Sequence, residues 1–295
     1  MIVTGSQEKK ILAQAREERW AIGAFNAFDI NTADAILTAA EELGVPAMLQ
    51  IWDFHDPQAP EGNSMMTEQQ TKALLAMVRA RAEVSTVPVI FHLDHTPTFE
   101  GCMRGIQNGA PSVMIDASQE PLDVNIEAAK KVIEAAHACD VLVEAETGHV
   151  SGHGNSKGVI YTEVADAVRY YEESDVDLLA VSIGTCHGFY AEEPVLNYER
   201  IAELRDAIPV PLVMHGASGL TDEQFKKAIA NGIVKINFAT YVQLEGGKVI
   251  AAAVEETKAK GGRQNFGSLI AKGQTAAKDY IKHHMELFGT RPVEL

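Results

Sequence analysis

Eight short apolar runs alternating with helix-like stretches constrain this 295-residue chain more than any other feature. The runs cover residues 21–28, 46–52, 88–94, 112–118, 142–147, 178–184, 211–216 and 234–240, and helical patterns fill 31–43, 67–82, 121–139, 162–173, 198–207 and 221–231. Alternation of this kind marks βα units and a parallel sheet. The run VPVIFHLDH, residues 87–95, is continuously apolar and rich in β-branched residues until Asp94, as expected of a strand covered on both faces. Eight such units with no Pro/Ser/Gly-rich linker between them predict one (β/α)8 TIM barrel over residues 1–295. An extra helix is expected before residue 21, and a helical extension at the C-terminus over 266–287. The length suits a barrel of ~250 residues with additions, and an apolar content of 46% supports the core it needs.

Helix punctuation agrees with this division. Thr221 followed by Asp-Glu-Gln reads as an N-cap with acidic residues in the first turn, and Asn231-Gly232 as the end of the same helix. Two connections, 53–64 and 149–160, exceed ordinary loop length. Long loops on the C-terminal face of a barrel are where active sites are built.

A formal charge of −16 argues against binding nucleic acid or an anionic membrane through bulk electrostatics. An anionic substrate would need a dedicated local site. Cys102, Cys139 and Cys186 lie far apart with no CxxC spacing, so neither a disulfide framework nor a zinc knuckle is expected. The first twenty residues lack an apolar core region, and no stretch reaches the ~18 apolar residues of a membrane span. A cytoplasmic protein in a reducing compartment is expected.

Polar residues cluster at the predicted strand ends: Asn26, Asp94, His95, Asp116, Glu144, Glu146, His187, His215, Asn237 and Thr240. Three of them are histidines from the third, sixth and seventh strands. Three imidazoles on one barrel rim suit a catalytic zinc with an open fourth position, with Glu146 as an alternate ligand. Each histidine alone could equally be a cap or a core hydrogen-bonder. Gly184, Gly188, Gly216 and Gly219 flank them, where missing side chains let backbone groups approach an ion, although tight turns also use glycine. MHGASGL leads directly into the helix at Thr221, whose N-terminus suits an anion.

VPVIFHLDH, SVMIDASQEPLDVNI, VEAETG, VSIGTCHGFY, PLVMHGASGL and VKINFAT, with GAFNAFDI near the start, occur in one order and spacing across nearly the whole chain. Together they resemble the class II, zinc-dependent fructose- or tagatose-bisphosphate aldolases. The resemblance implies zinc held by His95, His187 and His215, with Glu146 and Asp116 near an alternate metal position. It implies proton transfer by Asp94, and a monovalent cation, Na+ or K+, at backbone oxygens around Gly188 and Gly216. Ser218, Asn237 and Thr240 would hold the dihydroxyacetone portion, with Asn26 in the same pocket. The partner is then a small-molecule sugar, cleaved between C3 and C4 by a homo-oligomer, dimer or tetramer, that needs no Schiff-base lysine. Lys235 nevertheless lies on a suitable strand for the lysine-dependent route.

Four positions depart from the family pattern. Ala191 follows HGFY where a phosphate-contacting Lys is usual, and Gln274 stands near the place of an Arg that commonly serves a neighbouring subunit. HVSGHGNSKG follows VEAETG in place of a Gly-Gly-acidic loop, and Tyr241 takes the place of an acidic residue. A charge-assisted phosphate contact is worth roughly 1.5–3 kcal/mol, so two lost cations predict a substrate other than a 1,6-bisphosphate. Trp52, Asp53 and His55 are candidates to contact an uncharged sugar, and Arg263, Lys272 or Arg291 to replace the missing charge. The competing expectations are a conventional fructose or tagatose 1,6-bisphosphate aldolase, a non-catalytic sugar-binding or regulatory subunit, and a zinc hydrolase on the same barrel.

Overall fold

A computed structural model describes residues 1–52, 68–148, 150, 161–188, 190 and 192–295. Eight parallel strands close into a barrel in chain order: β1 (Ile22–Asn26), β2 (Ala47–Trp52), β3 (Val89–Thr96), β4 (Ser112–Ile115), β5 (Leu142–Thr147), β6 (Leu178–Val181), β7 (Leu212–Met214) and β8 (Ile233–Phe238). Helix α1 (Gly5–Glu18) precedes them. Between strands lie α2 (Ile30–Leu43), α3 (Glu68–Glu83), α4 (Phe99–Gln107), α5 (Leu122–His137), α6 (Val164–Ser174), α7 (Tyr198–Ala207) and α8 (Asp222–Asn231). Helices α9 (Thr240–Ala259) and α10 (Phe266–Leu287) complete the chain as an antiparallel hairpin packed on α2. The fold is a TIM barrel with an N-terminal extra helix and a C-terminal helical extension.

All eight expected strands are present. β4, β6 and β7 end earlier than the apolar runs suggested, so Asp116, Gly184, His215 and Gly216 belong to rim loops. The pattern of the sequence assigned no helix to 240–259, where Gly246 and Gly247 weaken a helical reading. Gly246 is there because α10 packs close: a Cβ on it would stand 3.1 Å from the Gly273 carbonyl oxygen. The capping residues behave as expected. Thr221 and Gln224 form a reciprocal capping box on α8, as Thr4 and Gln7 do on α1.

Side-chain direction alternates along each strand, and two cores follow. Outward residues such as Phe25, Leu49, Phe91, Val113, Val143, Leu179 and Phe238 pack under the helices. Inward residues near the strand starts, including Ile22, Met48, Ile90, Leu142 and Leu178, meet Ile11, Leu12 and Ala15 of α1 and Trp20. Helix α1 therefore closes the N-terminal mouth of the barrel. Further along the axis the inward positions turn polar: Gln50, His92, Ser112, Glu144 and Lys235, then Asn26, Asp94, Glu146 and Asn237, all buried. No helix among the described residues is long and apolar enough to cross a membrane.

Candidate active site at the C-terminal barrel rim

Neighbouring strand residues ordinarily point to opposite faces, yet Asp94 and His95 both face the site. The register between β3 and β4 shifts between Leu93 and Thr96, and His95 has φ +43°, a left-handed conformation uncommon outside glycine. The bulge re-aims His95 inward beside Asp94, a use of bulges common near active sites. Backbone strain held by surrounding structure is concentrated at such places.

Three amides hold Asp94. Asn237 Nδ2 donates to Oδ1 at 3.1 Å, while Gln50 Nε2 at 3.1 Å and Asn26 Nδ2 at 3.3 Å donate to Oδ2. Gln50 also donates to Asn26 Oδ1 at 2.8 Å, so β1, β2, β3 and β8 share one network around this carboxylate. The carboxylate is held by amides from three strands, and Asp94 is only 2% exposed.

The three histidines converge as expected. One ligand atom from each of His95, His187 and His215 lies within 4.8 Å of the others, and so do ligand atoms of His95, Asp116 and Glu146. His95 Nε2 and His215 Nδ1 face each other at 2.9 Å. The opposite nitrogens are engaged by carboxylates: His95 Nδ1 with Asp116 at 2.7 Å, and His215 Nε2 with Glu144 at 2.8 Å. Glu146 Oε1 accepts from the Val150 amide at 2.9 Å, and its Oε2 lies 3.9 Å from His215 Nδ1. The Trp52 ring stacks on His95, centroids 4.9 Å apart at 29°.

Burial disfavours a charged His95, but Asp94, Asp116 and Glu146 outweigh it and raise the imidazole to about 10. Burial and the nearby Asp116 push Glu146 up to about 8. Burial, followed by repulsion from His95 and His215, lowers His187 to about 3. Carboxylates thus outnumber positive charge in a buried site rich in imidazole. This donor set fits a divalent cation bound by nitrogen and carboxylate oxygen.

The glycine loops lie beside this cluster. Gly188, Gly216 and Gly219 have φ of +85°, +64° and +96°. A Cβ on Gly216 would stand 2.5 Å from the Cys186 carbonyl oxygen, so the β6 and β7 loops touch backbone to backbone. Tyr190 joins them further: its hydroxyl accepts from the Cys186 amide at 3.1 Å and donates to the Gly216 carbonyl at 2.6 Å. Ser218 is buried in the β7 loop and Thr240 opens α9 just past β8. Neither makes a described hydrogen bond to the histidines. Asp53, His55, Ala191 and the 149–160 loop, except Val150, lie outside the described residues.

Gln50 was absent from the sequence-derived set, as were His92, which pairs with Ser112 at 2.7 Å, and Glu8 of α1. The first two could have been found, because both are polar at inward parity in apolar strands. Glu8 could not, since its burial depends on where α1 docks. Lys235 is fully buried with Nζ 2.8 Å from Glu144 Oε2, which disfavours a Schiff-base role.

A (β/α)8 barrel with three imidazoles, neighbouring carboxylates and an amide-held aspartate at its C-terminal rim has the layout of a metal-dependent barrel enzyme. The family model described as "Fructose-bisphosphate aldolase class-II" matches residues 6–292, and the chain belongs to that family of lyases. The chain is 35% identical to "Fructose-bisphosphate aldolase" of Thermus caldophilus over 319 residues, covering 98% of this chain and 99% of the relative. It is 36% identical to "Probable fructose-bisphosphate aldolase" of Bacillus subtilis strain 168, covering 95% and 96%. Among solved structures, the YdjI aldolase from Escherichia coli K12 superposes with a TM-score of 0.82 at 31% identity, covering 98% of each chain.

Proposed function

We propose that this single-domain barrel catalyses reversible retro-aldol cleavage of a ketose or ketose phosphate between C3 and C4. The products are a dihydroxyacetone or dihydroxyacetone phosphate unit and an aldehyde. The observation that carries the reading is the placement of Asp94, held by three amides, beside the convergent His95, His187 and His215. These histidines would hold zinc, with Glu146 and Asp116 at an alternate position. Bound zinc supplies Lewis-acid stabilisation of the negative charge that develops as the bond breaks. Asp94 takes the C4 hydroxyl proton during cleavage and returns it during condensation. Asn26 and Asn237 hold that carboxylate, and Asn237, Ser218 and Thr240 line the place of the dihydroxyacetone unit. A monovalent cation, Na+ or K+, would sit at backbone oxygens of Gly188 and Gly216. The Gly216 carbonyl already accepts one bond from Tyr190 and has a second lone pair to offer.

The substrate belongs to the same proposal: it carries at most one phosphate. Gln274 donates to Asp34 at 2.7 Å within its own chain, and Ala191 brings no charge. Arg291 pairs with Glu18 at the end of α1, on the closed side of the barrel. Arg263 and Lys272 lie on the exposed end of the α9–α10 hairpin. Tyr241 replaces an acidic residue and lies over the glycine loop, since a Cβ on Gly219 would stand 3.1 Å from its hydroxyl. A neutral phenol and a stacked Trp52 suit hydroxyl-rich sugar better than a second phosphate. We place the enzyme in the cytoplasm as a homo-oligomer.

The names of the Thermus and Bacillus relatives favour a second reading, a conventional 1,6-bisphosphate aldolase. A non-catalytic sugar-binding subunit would need neither Asp94 nor three convergent imidazoles. The deciding measurement is kcat/KM for fructose and tagatose 1,6-bisphosphate beside the free and monophosphorylated ketoses, with and without chelator. A bisphosphate preference of about tenfold or more, roughly 1.4 kcal/mol, selects the second reading. Full activity without metal would reject the metal role.

A further inference from the structure

Below the rim lies a buried ionic layer that the aldol chemistry itself does not touch. Glu144 of β5 and Lys235 of β8 are both fully buried and meet across the barrel interior, with Lys235 Nζ 2.8 Å from Glu144 Oε2. The contact is an ion pair rather than a well-directed hydrogen bond. His92 Nε2 lies 3.9 Å from the same oxygen, and its Nδ1 pairs with Ser112. TIM-barrel interiors are ordinarily filled with branched apolar side chains, and a buried ion pair is weak evidence of stabilisation, because desolvation offsets its attraction. Stability alone therefore does not account for this pair.

Its direction does. The other oxygen of Glu144 lies 2.8 Å from His215 Nε2. An ionised carboxylate only accepts hydrogen bonds, so Nε2 carries the proton of the neutral ring and Nδ1 keeps the lone pair. Nδ1 is the nitrogen that faces His95 Nε2 at 2.9 Å. Asp116 stands in the same relation to His95, bonding Nδ1 and leaving Nε2 aimed inward. Glu144 and Asp116 thus each engage the ring nitrogen that faces away, which directs the His215 Nδ1 lone pair, and His95 Nε2 once it has lost its proton, at one point. Asn237 Nδ2, at 3.3 Å from His215 Nε2 and 3.5 Å from Nδ1, and Glu146 Oε2, at 3.9 Å from Nδ1, are further polar neighbours of that ring among the described residues.

We propose that Glu144, paired with Lys235, is a positioning residue that fixes the tautomer and ring orientation of His215, so that Nδ1 is presented to the metal. The pair sets a lysine on one carboxylate oxygen and the His215 ring on the other. The proposal rests on the reading of His95, His187 and His215 as metal ligands.

The test compares metal-free wild type with two double variants of matched bulk, using zinc alone as the probe and a competing chelator to read its Kd. Glu144→Leu with Lys235→Met removes the acceptor and both charges. Zinc binding is expected to weaken 10–100-fold, the usual effect of losing such a partner, and the visible spectrum of the cobalt(II)-substituted protein to shift. Glu144→Gln with Lys235→Met also removes both charges but keeps an oxygen for His215, and is expected to bind zinc more tightly than the leucine variant. Leucine-variant binding within threefold of wild type, or equal losses in both variants, overturns the proposal. Should the leucine variant not fold, nitrogen-15 spectra of histidine-labelled, metal-free wild type decide it: His215 protonated at Nε2 supports the proposal and protonation at Nδ1 overturns it. Failure of wild type to bind zinc would reject the metal reading instead, a distinguishable result.

Discussion

Gln50 Nε2 lies 3.1 Å from Asp94 Oδ2 while donating to Asn26 as well, so the second strand of the barrel orients a carboxylate carried by the third. A carboxylate held this way has its rotamer set before substrate arrives, which is what a proton-transfer group requires. Asp94→Ala is expected to keep fold and zinc content and to lower kcat for cleavage by about 10²–10⁴, the range general acid–base groups contribute. Steady-state kinetics and metal analysis check it, and near-normal turnover would move the role elsewhere. Gln50→Leu should lower kcat less than Asp94→Ala, because Asn26 and Asn237 still hold the carboxylate.

Each of His95→Ala, His187→Ala and His215→Ala is expected to abolish cleavage and to bring zinc below one ion per chain. Elemental analysis of the purified variants reads this directly. A full complement of zinc in the His187 variant would assign the ion to the His95–Asp116–Glu146 position.

Zinc affinity should rise with pH. His95 in the metal-free protein is raised from the ordinary imidazole range to about 10 by the surrounding carboxylates, against the effect of burial. A ligating imidazole nitrogen must be free of its proton, so below pH 10 binding releases one. The apparent association constant is then expected to climb by about one decade per pH unit between pH 7 and 9 and to level off above pH 10. Calorimetry in buffers of different ionisation enthalpy counts the released proton. A binding constant independent of pH would show that His95 is already neutral.

Gly216→Ala forces a β-carbon to within 2.5 Å of the Cys186 carbonyl at a backbone with φ +64°. The expected destabilisation is about 1–3 kcal/mol, from left-handed strain and the displaced neighbour. Denaturant unfolding of the metal-free protein measures it. A larger loss would mean that the rim loops separate altogether.

Most of the architecture was legible because it rests on local pattern. The apolar runs at 47–52 and 89–93 announce buried parallel strands whatever surrounds them, and the Thr221 box announces a helix start. Helix α9 was less legible, because Gly246 is explained only by the approach of Gly273 from α10. In the site, His95, His187 and His215 could be read from their places at or just beyond the third, sixth and seventh apolar runs, although His187 and His215 lie in rim loops. The bulge that turns His95 inward depends on the β3–β4 register and could not. Gln50, His92 and Ser112 follow from inward parity once the strands are placed. The service of Glu144 to His215 depends on the barrel closing across its axis, which no spacing records.

Tyr190 binds the Cys186 amide and the Gly216 carbonyl with one hydroxyl, and so ties the loop of His187 to the loop of His215. The separation of two of the three imidazoles is then tied to a hydrogen-bonded link within the protein itself. Loading and loss of an ion held by these two ligands would then be matters of proton traffic and diffusion through the mouth of the barrel.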